Sequence, residues 1–153
     1  MTRRTLALDI GSTIGWARRH ADGSLASGEA AFNGSRATKL AALANWLVND
    51  LTKYETDLVI YERPFARGQA ATRMGWGMAG VIEAFATIHG AAVLDAHNAT
   101  VKKWATGGGN AGKEEMVAAC WQWGRDPADE HEADALCVLY YSEVHALSGG
   151  KGA

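Results

Sequence analysis

The sequence predicts an α/β fold, a mixed five-stranded sheet with helices on its faces. Three observations predict it. Residues 5–32 hold three short apolar stretches separated by tight-turn signals, the pattern of strands joined by hairpins. Two further apolar runs, at 57–62 and 91–95, alternate with stretches of helical spacing, the pattern of parallel strands with helical crossovers. The chain has 153 residues, 48% hydrophobic and 21% charged, which suits one globular domain and excludes a disordered or collagen-like chain.

The elements follow in order. Leu6 to Ile10 is almost wholly apolar and runs into Gly11-Ser12-Thr13, a buried strand ending in a tight turn. Ile14 to Arg18 is the second strand. Asp22-Gly23 signals a hairpin, and Ser24 to Phe32 is the third. Asn33-Gly34-Ser35 breaks the pattern. From Ser35 to Lys53, Leu40, Leu43, Leu47 and Leu51 recur at helical spacing. Asp57 to Glu62 contains the buried strand Leu58-Val59-Ile60-Tyr61. Gly68 to His89 reads as a long helix rich in small residues. Ala91 to Asp95 is a strand, Asn98 to Thr106 a short helix, and Gly107 to Asn110 a loop. Ala111 to Trp123 and Glu130 to Leu147 are two more helices, separated by Arg125-Asp126-Pro127. Residues 1–147 are expected to form the domain and residues 148–153 a flexible tail.

No apolar run approaches the ~18–20 residues that cross a bilayer. The chain reaches Asp9 after too short an apolar run for a signal peptide, so the expected location is the cytoplasm. Cys120 and Cys137 lie in apolar helical patterns without metal-ligand spacing and read as reduced core thiols. The net charge is −2, but it is unevenly spread. Residues 1–125 carry 14 Lys/Arg against 11 Asp/Glu, and residues 126–153 carry 1 Lys against 6 Asp/Glu. A mildly basic middle precedes an acidic C-terminal stretch.

Two carboxylates end apolar strands. Asp9 closes the first and Glu62 the fourth, and burial of a carboxylate is costly unless it is paired or binds a cation. If those strands are parallel neighbours, both side chains emerge at the sheet edge where open α/β sheets place their sites. A third acidic group opens the last helix as Asp129-Glu130-His131-Glu132-Ala133-Asp134. His131 and Asp134 share a face at i and i+3, and Glu130 and Asp134 at i and i+4. The helix dipole alone accounts for Glu130 and Glu132, but less well for Asp134 in its apolar setting. Asp9, Glu62 and Asp134, with one nearby ligand such as His131, form an oxygen-rich set suited to Mg²⁺ or Mn²⁺. Two such ions ~4 Å apart stabilise both the attacking and the leaving oxygen in phosphodiester hydrolysis.

Four blocks then carry a resemblance. They are Leu6-Ala7-Leu8-Asp9-Ile10-Gly11-Ser12-Thr13-Ile14-Gly15-Trp16-Ala17, Val59-Ile60-Tyr61-Glu62-Arg63-Pro64-Phe65, Ala99-Thr100-Val101-Lys102-Lys103 through Gly107-Gly108-Gly109-Asn110-Ala111-Gly112-Lys113, and His131-Glu132-Ala133-Asp134-Ala135-Leu136. In order and spacing, from Leu6 to about Tyr141, the chain resembles the RuvC-type Holliday junction resolvases of the ribonuclease H-like superfamily. The resemblance implies a ribonuclease H-like sheet with helices on both faces. It implies a homodimeric endonuclease that cuts four-way junctions with two divalent ions per site, leaving 3′-hydroxyl and 5′-phosphate ends, and no organic cofactor. Asp9, Glu62 and Asp134 would be metal-binding carboxylates. His131 falls where the family usually has Asp, and would bind metal or act as acid or base. Glu130 is the reserve for that fourth ligand. Lys113 and Lys102 match basic residues near the scissile phosphate, and Phe65 matches an aromatic set against unstacked bases. Arg67, Arg73 and Lys103 complete the expected DNA-binding set. The helix from 68 to 89 would pack on its copy, with Gly75, Gly77, Ala79 and Gly80 allowing close approach and Met74, Trp76 and Met78 giving apolar contact. Such an enzyme would be nucleoid-associated or phage-encoded.

The same residues suit other readings. The carboxylates suit a nuclease of the same fold acting on flaps, other branched DNA or RNA. A branched-DNA binding module without catalysis would need only the basic residues. An actin-like kinase shares Asp9-Ile10-Gly11-Ser12-Thr13 but needs a second domain and a second phosphate motif, which this sequence lacks.

Overall fold

The hairpin at Asp22-Gly23 forms as predicted: Gly23 takes a positive φ of 86° that glycine tolerates, and its amide donates to the His20 carbonyl at 3.0 Å. The structure, a computed structural model, describes residues 2–64 and 68–145. Strands β1 (Thr5–Asp9), β2 (Thr13–Arg19), β3 (Leu25–Ala31), β4 (Leu58–Glu62) and β5 (Ala92–Ala96) form one sheet in the order β3-β2-β1-β4-β5. The β1–β2 and β2–β3 pairs are antiparallel, while β1–β4 and β4–β5 are parallel. The predicted mixed five-stranded sheet is therefore present.

Period-2 alternation along the central strands divides the core in two. Leu6, Leu8, Val59 and Tyr61 face α1 (Arg36–Lys53) and α2 (Gln69–Ile88), meeting Leu43, Leu47, Met78 and Ile82. Ala7, Ala17 and Ile60 face the other way, toward α3 (Asn98–Thr106), α4 (Lys113–Gln122) and α5 (Glu130–His145). The alanines on that side allow α5 to lie close on β1 and β2. Each fully buried Leu or Ile contributes about 1.5–3 kcal/mol. Cys120 and Cys137 are buried free thiols with their sulfurs 3.9 Å apart, as expected of core cysteines.

Helix ends follow local chemistry. Ser35 caps α1, its hydroxyl accepting from the Thr38 amide at 3.2 Å, and Gly107 closes α3 at a φ of 86°. One polar residue runs through the core. Arg18 on β2 is 1% exposed, and its guanidinium pairs with Asp50 of α1, donates to Thr56 Oγ1 at 2.9 Å and lies over the Tyr54 ring.

One expectation about α2 needs correction. Met78 is completely buried in the protein's own core and has no surface to offer a partner helix. The small residues are partly used internally as well: a Cβ on Gly75 would come within 2.9 Å of the Pro64 ring, and one on Gly77 within 3.4 Å of Leu40. The physical reason is that this helix first covers its own sheet. Phe65, Arg67 and the predicted tail at 148–153 lie outside the described residues.

Candidate metal centre

The parallel register of β1 and β4 brings Leu8 beside Tyr61, so the next residues, Asp9 and Glu62, emerge at the same sheet edge. That edge lies beyond the strand C-termini. Asp134 arrives from the first turns of α5, and Gly15 makes room for it. Gly15 lies opposite Asp9 in the β1–β2 ladder, and a Cβ there would overlap the carbonyl of His131. The missing side chain lets the start of α5 rest directly on β2. As a result, ligand oxygens of Asp9, Glu62 and Asp134 all lie within 4.8 Å of one another.

The electrostatics of this group are strained without a cation. Asp9 is 8% exposed, and burial pushes its carboxyl up to about 8, with the charges of Glu62 and Asp134 adding to the rise. Burial likewise lifts Asp134 to about 6, helped by Glu62 and opposed by Lys102 and His131. His131 Nδ1 sits 3.3 Å from Asp9 Oδ2, and that contact raises the imidazole to about 8. Three converging carboxylates held against their preference for separation fit a divalent oxygen-seeking ion, and one imidazole at the rim is compatible with it. Among the described residues no other cluster has this donor set.

Neighbours orient the ligands. Asn98, at the start of α3, donates from Nδ2 to Glu62 Oε1 and fixes that carboxylate. Glu130 accepts from Lys113 Nζ at 2.6 Å, and its Oε1 is 3.9 Å from His131 Nε2. Glu130 thus stands beside His131, engaged by a lysine.

A cleft of about 670 Å³ opens over the carboxylates, with Lys39, Arg63, Lys102 and Lys113 on its walls. Arg63 is paired to Asp95 at 2.7 Å. Arg73 and Lys103 are exposed and do not line it. Of the basic residues expected from the sequence, the structure thus brings Lys102 and Lys113 to the carboxylates and leaves Arg73 and Lys103 outside the cleft. Asn98, Lys39 and Arg63 also belong to the site, although nothing in the sequence marks them for it. An Asn opening a helix signals capping, and a Lys on an amphipathic helix signals solvent, so neither announces itself. A larger cleft, about 870 Å³, lies at the opposite end of the sheet, where Arg4 pairs with Asp57 and Arg19 with Glu143.

No protein-family model matches the chain, and no curated protein matches it by sequence. Solved structures do match. Thermus thermophilus RuvC superposes with a TM-score of 0.73 at 21% identity, covering 95% of this chain and 96% of that one. T. thermophilus RuvC in complex with Holliday junction substrate superposes at 0.79 and 17% identity, covering 97% of each chain. The chain has a RuvC-type fold. A yeast mitochondrial Holliday junction resolvase also matches, at 0.61 and 15% identity over 90% of this chain and 76% of that one. Within this RuvC-type frame, the carboxylate group occupies the edge beyond β1 and β4, and the cleft crosses it from one helical layer to the other.

Proposed function

We propose that this protein is a divalent-metal-dependent endonuclease that nicks opposing strands of four-way DNA junctions as a homodimer. The observation that carries the reading is the convergence of Asp9, Glu62 and Asp134 within 4.8 Å, in a cleft walled by lysines, on a RuvC-type fold. Asp9, Glu62 and Asp134 would hold Mg²⁺ or Mn²⁺. When bound, such ions lower the pKa of a water and stabilise charge on the attacking and leaving oxygens.

The chain's own groups do the rest. Asn98 keeps Glu62 turned toward the cluster. His131 holds or releases a proton at Nδ1 against Asp9. Lys102 and Lys113 attract the phosphate that the carboxylates alone would repel. Water attacks phosphorus in line, the bond to O3′ breaks, and the water oxygen stays on the 5′-phosphate. The departing O3′ takes up a proton and leaves as a 3′-hydroxyl. Two sites related by a two-fold axis suit the two equivalent strands of a junction. The α2 helix, with Trp76 half exposed, is the proposed dimer element.

The test compares wild type with Asp9→Asn on a synthetic junction in Mg²⁺, in Mn²⁺ and with chelator. The expected result is metal-dependent nicking by wild type, with cleavage lost by at least about 100-fold in the variant while junction binding persists. Full activity in Asp9→Asn would remove the carboxylate cluster from the chemistry.

A further inference from the structure

A strand whose scissile phosphate sits over the carboxylates must pass neighbouring phosphates to either side of them. On one side the cleft offers Lys102 of α3 and Lys113 of α4. Those helices all lie on the α5 face of the sheet. The opposite wall comes from the other layer, where Ile10 after β1 and Leu40 of α1 pack against one core cluster, and the cleft lining beside them includes Gly11, Ser12 and Lys39.

The state of the four lining cations separates them. Arg63 is held by Asp95, and Lys113 by Glu130. Lys39 and Lys102 have no ion-pair partner among the described residues, and both are partly buried against the cleft wall. Long amphipathic side chains settle in this way when the stem packs and the head faces an open polar space. Lys39 is one turn into α1, whose first turn carries no acidic residue to neutralise it. Ser12, in the lining of the same cleft, likewise has a side-chain hydroxyl without a hydrogen-bond partner among the described residues. An unpaired ammonium and a free hydroxyl lining one cleft together match a phosphate oxygen.

We propose that Lys39, with Ser12, forms a backbone-phosphate subsite on the α1 wall of the cleft, opposite Lys102, so that the cut strand is gripped from both helical layers. The subsite rests on the nuclease reading above and adds a positioning residue to it. Lys39 touches a phosphate flanking the reacting one, so it governs strand placement and leaves the carboxylate chemistry alone.

The experiment measures junction affinity in Ca²⁺ over a salt series, and cleavage KM and kcat in Mg²⁺, for wild type, Lys39→Ala, Lys39→Arg and Lys53→Ala. Lys53 lies at the far end of the same helix, so its loss changes net charge equally without touching the cleft. The expected result for Lys39→Ala is weaker binding, a salt slope reduced by about one, and a higher KM with kcat nearly kept. Lys39→Arg restores the slope, and Lys53→Ala leaves it unchanged. Wild-type cleavage with an unchanged slope in Lys39→Ala, or an equal loss in Lys53→Ala, overturns the subsite while leaving the nuclease reading intact. Failure of wild type to bind or cut branched DNA overturns both.

Discussion

Asp9 is a buried acid facing two others, with one imidazole to oppose them. Its proton is bound more tightly in the fold than in the unfolded chain, where the carboxyl has its ordinary value of 3.8. Stability from this group is therefore fullest below about 4 and is lost as pH rises toward about 8. Asp134 acts in the same direction up to about 6, and His131 contributes below 6.5 and loses its contribution through about 8. The metal-free protein should accordingly show a Tm that falls between pH 6 and pH 8.5. Added Mg²⁺ or Mn²⁺ should stabilise most at the upper end, where the ligands are ionised, and Asp9→Asn should flatten the profile. Thermal melts across that range check it, and a metal-free Tm that rises with pH would contradict it. Asp9, Glu62 and Asp134 were legible in the sequence because a carboxylate ending an apolar strand, or set between alanines in a helix, violates the burial pattern around it. Asn98 and Lys39 violate nothing locally. Asn98 reaches Glu62 only once α3 packs at the end of β4, and Lys39 joins the cleft only once α1 covers the sheet.

At the scale of elements, the β2–α5 contact places half of the site. Gly15 is buried in a strand, where glycine weakens local structure, and its value lies in the space it leaves for the His131 carbonyl. Gly15→Ala should push α5 away, carrying His131 and Asp134 with it. The expected stability loss is about 1–3 kcal/mol, the usual cost of overpacking, with cleavage at a temperature where the variant is fully folded lost by more than tenfold. Denaturant melts beside a cleavage assay separate the two, and a folded Gly15→Ala with normal activity would contradict the positioning. Most elements were readable because their signals are local: apolar runs in β1 and β4, leucine spacing in α1, and the turn signals Asp22-Gly23 and Asn33-Gly34-Ser35. Their ends agree with the sequence reading to within about two residues, as fraying termini allow. The face that α2 turns inward was not readable, since small residues suit a helix packed on its own sheet as well as one packed on a copy. Met78 and Gly75 turned out to serve the sheet and Pro64.

Among its described residues the molecule presents one three-carboxylate cluster beneath a cleft with a lysine on each wall, at one edge of a sheet that carries a helical layer on each face. That arrangement was partly foreseeable. The hairpins and crossovers implied a mixed sheet but not its strand order, and the joint position of Asp9 and Glu62 depended on β1 and β4 being parallel neighbours, as they are. Substrate shape is different, because in the proposed homodimer it would be read by surfaces from two copies and by the spacing between their sites, which no single-chain periodicity encodes. The most direct test of the proposed activity is therefore selectivity. A synthetic four-way junction, a matched linear duplex, a flap and an RNA–DNA hybrid would each be incubated with the protein in Mg²⁺, in Mn²⁺ and in chelator, and the nicks mapped. Paired, metal-dependent nicks confined to the junction are the predicted result. Cleavage of flap or hybrid with the junction spared, or cutting that persists in chelator, would contradict it.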